Sequence, residues 1–558
     1  MQREIIDSVL RAQDTLALLP TGGGKSLCFQ VPSLMQEGIC LVVTPLIALI
    51  KDQTRRLETM GIPVLSLHSG MSYPQISRTL KNAAYGNFKF LYLSPERLQS
   101  EGFQEYLPIL PLNLIAIDEA HCISQWGYDF RPSYLKIRSL REARPEIPLL
   151  ALTASATREV QRDICHKLDF REGYAQYSQS FVRPNLSYRV VGPPSKSDKL
   201  LEILGQAEGS AIVYARTRRK VMEVQKWLAS HGIDSGYYHA GLGSEARSQV
   251  QEDWIGNKIR VMVATNAFGM GIDKADVRLV LHYDCPDGLE NYYQEAGRAG
   301  RDGRRAYAVL FFDQGDPAAL KRRIPVKFPP METIRSVYGA LANYLQLPSG
   351  SGEGHSFDFD LEDFSKKFSL DPALVANVLH LMEQESLLTH LTRRKTPSFV
   401  RMSAGRRELS FFGEGHRGCE PVAEGLLRMY PGIMDTGAVI EEKKLAAAIA
   451  MGRDRVISCL HILQANGIIE YQPASEKPRL RFLQNRARTE DFSLPTADLE
   501  KRKRAYQDRM ESMILYATQT GECRNRMIAQ YFNDHPATDC GICDNCHRKI
   551  RVKGTLQS

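Results

Sequence analysis

Four apolar runs mark the first half of the chain, at residues 16–19, 112–117, 211–215 and 260–265. Each is short and carries few polar positions, the pattern of a strand rather than of an amphipathic helix. The run Leu112, Leu114, Ile115, Ala116 and Ile117 reads as a buried parallel strand. It ends on Asp118 and Glu119, which places two carboxylates where open α/β sheets hold their ligands. Residues 16–32 (LALLPTGGGKSLCFQVP) open as a strand, pass through three glycines and end in a helical pattern. After Phe312 the pattern changes. A turn and basic connector (315–330) leads to a helix predicted over 331–345, then to a loop rich in Gly, Ser and Pro over 347–356.

Two later segments match each other without gaps at an offset of 81. Phe364 pairs with Leu445, Phe368 with Ile449, Val375 with Val456, Leu379 with Leu460 and His380 with His461. Each predicts a helix, a short turn, a second helix and a strand, followed by a basic strand candidate, 393–401 in the first and 478–482 in the second. This is a winged-helix pattern used twice. Such folds bind DNA or pack against neighbouring domains, and the residues leave both readings open. A last helix is predicted over about 498–518; Lys501, Arg502, Lys503 and Arg504 near its start form either a solvated face or a phosphate contact.

A length of 558 residues exceeds what one core serves and predicts three or four domains. Hydrophobic content of 43% and charged content of 24% describe an ordinary globular protein. No uninterrupted apolar run reaches the roughly 18 residues of a membrane helix. Met1 to Leu10 carry no signal-peptide pattern, so a reducing, cytosolic location is expected. The net charge of +8 permits a polyanionic partner without requiring one. Of eleven cysteines, Cys28, Cys40, Cys122, Cys165, Cys285, Cys419 and Cys459 are scattered singly and read as small buried residues.

The glycine stretch carries the first chemistry. Gly22, Gly23 and Gly24, with Thr21 beside them, let backbone amides approach an anion at a helix N-terminus. Lys25 suits the β- and γ-phosphates of a nucleotide, and Ser26 suits magnesium. The generic phosphate loop has a further glycine five residues before Gly24; here Leu19 stands there. Asp118 is then expected to hold magnesium, directly or through water, and Glu119 to orient and deprotonate an attacking water. His121 is placed to link this pair to the next segment. Gln125, Trp126, Phe130 and Arg131 follow at once, aromatic and basic residues suited to stacking on unpaired bases and to phosphate contact. The plainer alternative is that Trp126 and Phe130 are core aromatics.

With these motifs in order, the chain resembles the RecQ family of superfamily-two DNA helicases over residues 2 to about 315, and again at its C-terminal cysteines. VVTPLIALIKDQ (42–53) and YLSPERL (92–98) resemble DNA-contacting loops of the first motor lobe. LTASAT (152–157) resembles the segment coupling ATP state to lobe movement, and SFVRPNLSY (180–188) the stretch linking the lobes. Residues 263–286 and 292–303 resemble the last two motifs. By that resemblance Asp273 binds the nucleotide ribose, Gln294 senses the phosphates, and Arg298 and Arg301 are candidate arginine fingers. The family's adenine motif is an aromatic and an arginine shortly before a glutamine. Gln2 takes the glutamine's place as an adenine contact, so either translation starts upstream or adenine is held less well.

Cys523, Cys540, Cys543 and Cys546 give C-x16-C-x2-C-x2-C, four thiolates able to close the tetrahedral site that zinc prefers. An iron–sulfur cluster is the alternative. The spacing resembles the RecQ zinc module, and His547 is not needed as a ligand. In the family's familiar layout that module follows the motor directly; here about 200 residues intervene. The expected fold is α/β: two RecA-like parallel-sheet lobes (1–188 and 189–325), winged-helix-like units (326–410 and 411–490), and a basic helix with a zinc-binding helical module (491–558). The resemblance implies ATP, Mg2+ and Zn2+ as cofactors. It also implies single-stranded and forked duplex DNA as substrates, 3′-to-5′ polarity, and roles in recombination and repair. A monomer in the bacterial cytoplasm, associated with the nucleoid and not with a membrane, is expected, with single-strand DNA-binding protein as a candidate partner. Two rival readings are a DNA-dependent translocase that does not unwind, and a binding module with a degenerate motor. Intact Lys25, Asp118, Glu119, Arg298 and Arg301 speak against the second.

Overall fold

A computed structural model describes the chain except for residues 21, 69–70, 72, 125–129, 270–273, 392–397, 405–417, 435–436, 474–477 and 556–558. It comprises two compact units. One joins Met1–Pro325 to Pro495–Ser558, and the other is Val326–Leu494.

The first unit contains two parallel sheets. The first sheet is built from β1 (Thr15–Leu18), β2 (Ile39–Val43), β3 (Val64–Leu67), β4 (Phe90–Leu93), β5 (Leu112–Ile117), β6 (Leu149–Thr153) and β7 (Ala175–Ser178), in the order β3-β4-β2-β5-β6-β1-β7. The second is built from β8 (Leu186–Val191), β9 (Ser210–Tyr214), β10 (Ser235–Tyr238), β11 (Val261–Ala264), β12 (Val277–His282) and β13 (Ala306–Phe311), in the order β10-β11-β9-β12-β13-β8. Numbered within each lobe, both orders read 3-4-2-5-6-1, with β7 added at one edge of the first. Strands β1, β2, β4 and β6 are buried along their whole length. That burial on both faces is why the runs read as apolar without alternation. The boundary expected after residue 188 falls inside β8, which pairs with β13 and so belongs wholly to the second lobe.

The C-terminal helix and cysteine module fold back onto the second lobe. The Ser187 hydroxyl donates to the carbonyl of Ile542 at 2.7 Å, and the Val190 amide donates to Asp544 at 3.1 Å. Helix Leu289–Ala296 receives them from the other side: Tyr531 donates to Glu290 at 2.7 Å, and Tyr516 packs on Tyr292 with ring centroids 5.3 Å apart. The intervening residues are therefore an insertion in sequence that leaves the second lobe and the cysteine module adjacent in space.

The second unit corrects the expected pair of successive winged units at 326–410 and 411–490. Helices Leu361–Lys367 and Pro372–Gln384 recur as Glu442–Ala448 and Arg453–Ala465, starting 81 residues on, as the repeat predicts. The strands are β14 (Ser356–Asp358), β15 (Leu388–Leu391), β16 (Ser398–Met402), β17 (Ala438–Ile440), β18 (Ile469–Gln472) and β19 (Arg479–Phe482). Wing hairpins β15–β16 and β18–β19 would be the local choice. Instead the sheets are β14-β19-β15 and β17-β16-β18, all antiparallel. The second winged fold is thus one continuous segment, 398–473, inserted between β15 and β19 of the first. Its core unites Val400, Leu426, Leu445, Leu460 and Tyr471. The first is closed by the returning chain, where Phe492 stacks on Tyr338 at 3.8 Å and Leu480 is fully buried.

Each fold pins its central strand differently. In the second, buried Glu442 accepts hydrogen bonds from Ser398 on β16 and Tyr471 on β18. Burial opposes its charge, but these donors hold the carboxyl below its usual range. In the first, Arg479 on β19 pairs with Asp358 on β14 at 2.8 Å near the surface.

Candidate active site

The loop between β1 and helix Leu27–Met35 turns on glycines that the geometry requires. Gly22 and Gly24 have φ of +84° and +72°, in the left-handed region. A Cβ on Gly24 would stand 2.1 Å from the Gln2 amide nitrogen, and one on Gly22 would stand 3.2 Å from the Arg301 side chain. Gln2 itself donates to the carbonyl of Gly23 at 2.9 Å. Its amide group supports the loop from behind, which adds a structural duty to the expected adenine contact. Ser26 is the cap residue of the helix that follows.

Opposite this loop, β5 delivers Asp118 and Glu119. The Asp118 amide is bonded to Val43 on β2, and its carboxylate accepts the Glu119 amide at 2.9 Å. Glu119 adopts φ +49°, unusual for a residue with a side chain and a form of local strain found at functional sites. Lys25 lies 3.4 Å from Glu119. Burial works against both charges, yet each stabilises the other: Lys25 is held above its usual range, and Glu119 below its own, with His121 and Arg298 assisting. Asp118 differs. Burial pushes its carboxyl up to about 6 despite Lys25, so it gains from any cation placed beside it.

His121 is buried, with Nδ1 at 3.0 Å from the Thr153 hydroxyl and 3.4 Å from Glu119. Thr153 ends β6, and the Ser155 hydroxyl accepts a bond from Gln294 of the second lobe at 3.1 Å. A polar chain therefore runs from Glu119 through His121 and the 152–157 segment to Gln294. Arg298 is buried, and its Nε has no protein acceptor among the described residues. The Arg301 stem lies over Gly22. A glycine cradle, an ammonium, two guanidinium groups and a buried carboxyl pair suit a nucleoside triphosphate with its divalent metal, held between the lobes.

Four protein-family models match successive stretches. They are DEAD/DEAH box helicase over 1–163, helicase conserved C-terminal domain over 195–303, RecQ helicase winged-helix domain of Bacteroidota over 400–473, and RecQ zinc-binding over 477–547. The probable ATP-dependent DNA helicase RecS of Bacillus subtilis is 39% identical over 345 residues, covering 61% of this chain and 69% of that protein. The chain belongs to the RecQ helicase family. The ATP-dependent DNA helicase RecQ of Pasteurella multocida is 42% identical over 322 residues (58% of this chain, 51% of that protein). RecQ of Bacillus subtilis is 44% identical over 319 residues (56% and 54%). The chain thus spans about half the length of these RecQ relatives. The winged-helix match at 400–473 coincides with the continuous inserted fold and not with the expected 411–490.

The RecQ zinc-binding match ends on the predicted ligands. The sulfurs of Cys523, Cys540, Cys543 and Cys546 lie within 4.8 Å of one another. Those of Cys540 and Cys546 are 3.9 Å apart. A tetrahedral Zn–S bond of about 2.3 Å sets sulfurs about 3.8 Å apart, so the donor set fits zinc. The amides of Arg524 and Cys546 each donate to Cys543 at 3.4 Å, and that of Cys540 to Cys523 at 3.2 Å. Such donors favour thiolates. His547 is exposed outside the cluster. Arg524, fully buried, ties the module to helix Thr496–Thr518 by a fork on Asp544 (3.0 and 3.2 Å) and a bond to the Tyr516 carbonyl.

The expected DNA face is placed in part. Thr21, Asp273, Gln125 and Trp126 lie outside the described residues. Phe130 corrects the expectation of an open stacking ring: it is 6% exposed, with the Lys167 ammonium 5.7 Å from its centroid. It is a core aromatic that anchors the segment. Arg131 donates to the Pro45 carbonyl at 3.1 Å, and Ser133 to Glu96 at 3.1 Å. The segment after Glu119 is thereby tied to both the 42–53 and the 92–98 loops. His239, at the end of β10, was missed by the sequence reading. It is buried, and neither ring nitrogen has a hydrogen-bond partner among the described residues. The signal was available: His68-Ser69-Gly70 and His239-Ala240-Gly241 follow the third strand of each lobe.

Proposed function

We propose that the chain is an ATP-dependent DNA helicase: it hydrolyses ATP in the cleft between the lobes and draws one DNA strand past them, separating duplex DNA with 3′-to-5′ polarity. The observation that carries this reading is the reach of Arg301 and Arg298 from the second lobe to the phosphate loop, Lys25 and Glu119 of the first. Lys25 and the loop amides bind the phosphates. Ser26 and Asp118 would hold magnesium, which when bound supplies positive charge to the transferring phosphoryl group. Glu119, ionised at neutral pH, orients and deprotonates the attacking water. Arg298 and Arg301 stabilise charge on the transferred group only when the cleft is closed, which links hydrolysis to lobe position. The polar chain from Glu119 to Gln294 reports that closure to the DNA-facing loops of the first lobe.

Forked duplex and single-stranded DNA are the substrates in this reading, and recombination and repair its setting. It extends to a monomer near the bacterial nucleoid, with single-strand DNA-binding protein as partner; family resemblance supports these points. Among the described residues no helix is long and apolar enough to cross a membrane. The test is unwinding of a labelled forked duplex, with Lys25→Ala as control. ATP-dependent strand separation is expected. Hydrolysis stimulated by DNA without separation would favour a translocase instead.

A further inference from the structure

The loop carrying both arginines, Gly297–Arg301, is held by a residue from the linker between the lobes. The Arg183 guanidinium donates to the carbonyls of Gly297, Ala299 and Gly300, each at 3.2 Å. Asn185 adds bonds to Gly300 at 2.6 Å and Arg304 at 2.9 Å. Gly300 is built for this approach: its φ is +65°, and a Cβ there would stand 2.5 Å from the Asn185 amide. These carbonyls follow the C-terminal end of helix Leu289–Ala296, where a cation is favoured and unpaired acceptors are costly. One fork on three carbonyls is a task for arginine's fixed planar donors and not for lysine.

Arg183 is itself held from behind by the zinc module. Asn525 accepts the Arg183 amide at 3.4 Å and donates to the Leu186 carbonyl at 3.5 Å. Asp534 accepts the Ser180 hydroxyl at 2.7 Å and the Phe181 amide at 2.9 Å. Phe532 stacks on Phe181 at 4.5 Å and 12°. The linker is fastened on both sides of Arg183, by residues that lie between the cysteine ligands Cys523 and Cys540.

We propose that Arg183 is the positioning residue of the arginine-finger loop, and that the zinc module sets finger position through Asn525, Asp534 and the linker. The proposal rests on the ATP-hydrolysis reading for its kinetic arm and on geometry alone for its structural arm. In the structural arm, hydrogen exchange of the amides at 297–304 is compared in full-length wild type and Arg183→Ala. Exchange at least about tenfold faster is expected once the loop loses its carbonyl partners. Unchanged exchange overturns the placement, whether or not the chain hydrolyses ATP.

In the kinetic arm, a loop displaced by about 1 Å should lower kcat for DNA-stimulated ATP hydrolysis by roughly 100-fold. Binding of a fluorescent ATP analogue should stay within about threefold. In an Arg298→Ala, Arg301→Ala background, single-turnover hydrolysis should show Arg183→Ala costing less than about threefold, since the groups it positions are gone. An equal loss in both backgrounds shows general damage and overturns the proposal. If Arg183→Ala does not fold, Arg183→Lys and Asn525→Ala serve in the same cycle, each expected to show a smaller loss that also vanishes without the fingers. A wild type that binds ATP but never hydrolyses it would sink the functional reading and leave the exchange result to decide the placement.

Discussion

The two motor lobes share a strand order, 3-4-2-5-6-1, and differ in what stands at the strand ends. After its first strand the first lobe has Thr-Gly-Gly-Gly-Lys-Ser; the second has Gly192-Pro193-Pro194-Ser195. After its fifth strand the first lobe has Asp118 and Glu119. The second ends that strand on His282, bonded at 2.8 Å to Glu295 of the helix that also bears Gln294. In the proposed reading one lobe binds and activates, and the other supplies guanidinium groups from beyond a helix end. In that reading, a site assembled from both copies of one architecture works when they close, and that dependence would turn hydrolysis into a motor stroke.

The sharpest way to break this asymmetry is at the phosphate loop. Lys25→Ala removes the ammonium that balances Asp118 and Glu119, leaving two buried carboxyls without their main counter-charge. Hydrolysis should fall to background, and nucleotide affinity should fall with it, read by steady-state ATPase and equilibrium binding. Next comes the opposite lobe. Arg298→Ala should cost about 1000-fold in kcat, the order seen for arginine fingers, while ATP binding persists. If both variants lost binding equally, the division of labour between the lobes would be wrong. Gln294→Ala removes the bond to Ser155, part-buried and neutral. It should cost about tenfold in DNA stimulation and leave DNA-free hydrolysis nearly unchanged.

What could be read from the residues follows from how local the chemistry is. Lys25, the Asp118–Glu119 pair and the four cysteines each sit in a short motif whose spacing implies its partner chemistry; the folded chain brings Lys25 to Glu119 and, separately, gathers the four sulfurs within 4.8 Å of one another. Phe130 looked like a stacking ring because alternating aromatic and polar residues suit either a binding face or a core edge; only packing under Lys167 decides. Arg183 could not be assigned, since its acceptors stand 114–117 residues further along the chain. The winged unit was misread for a related reason. Its two wing strands start 81 residues apart within a repeat, so either satisfies the local pattern of either sheet, and tertiary packing chooses the partner.

The nested topology yields the smallest expected effect on the motor, and a strict one. In the first winged fold Leu391 on β15 is paired directly with Arg479 on β19. Residues 392–478 can therefore be replaced by a two-residue Asn-Gly turn, which closes an antiparallel hairpin without moving either strand. Phe399 and Gln472 are likewise paired, so the excised fold has adjacent ends and its own core. Residues 398–473 should be soluble and show a cooperative melt when made alone, whereas 326–410 should not, because it lacks β19. The partners given above for the phosphate loop and the arginine loop all lie outside the excised segment. Hydrolysis by the shortened chain should then stay within about twofold of wild type, while any loss in forked-duplex affinity would measure what the inserted fold adds to DNA binding. A large fall in hydrolysis would show that the asymmetry between the lobes depends on more than the lobes and their zinc module.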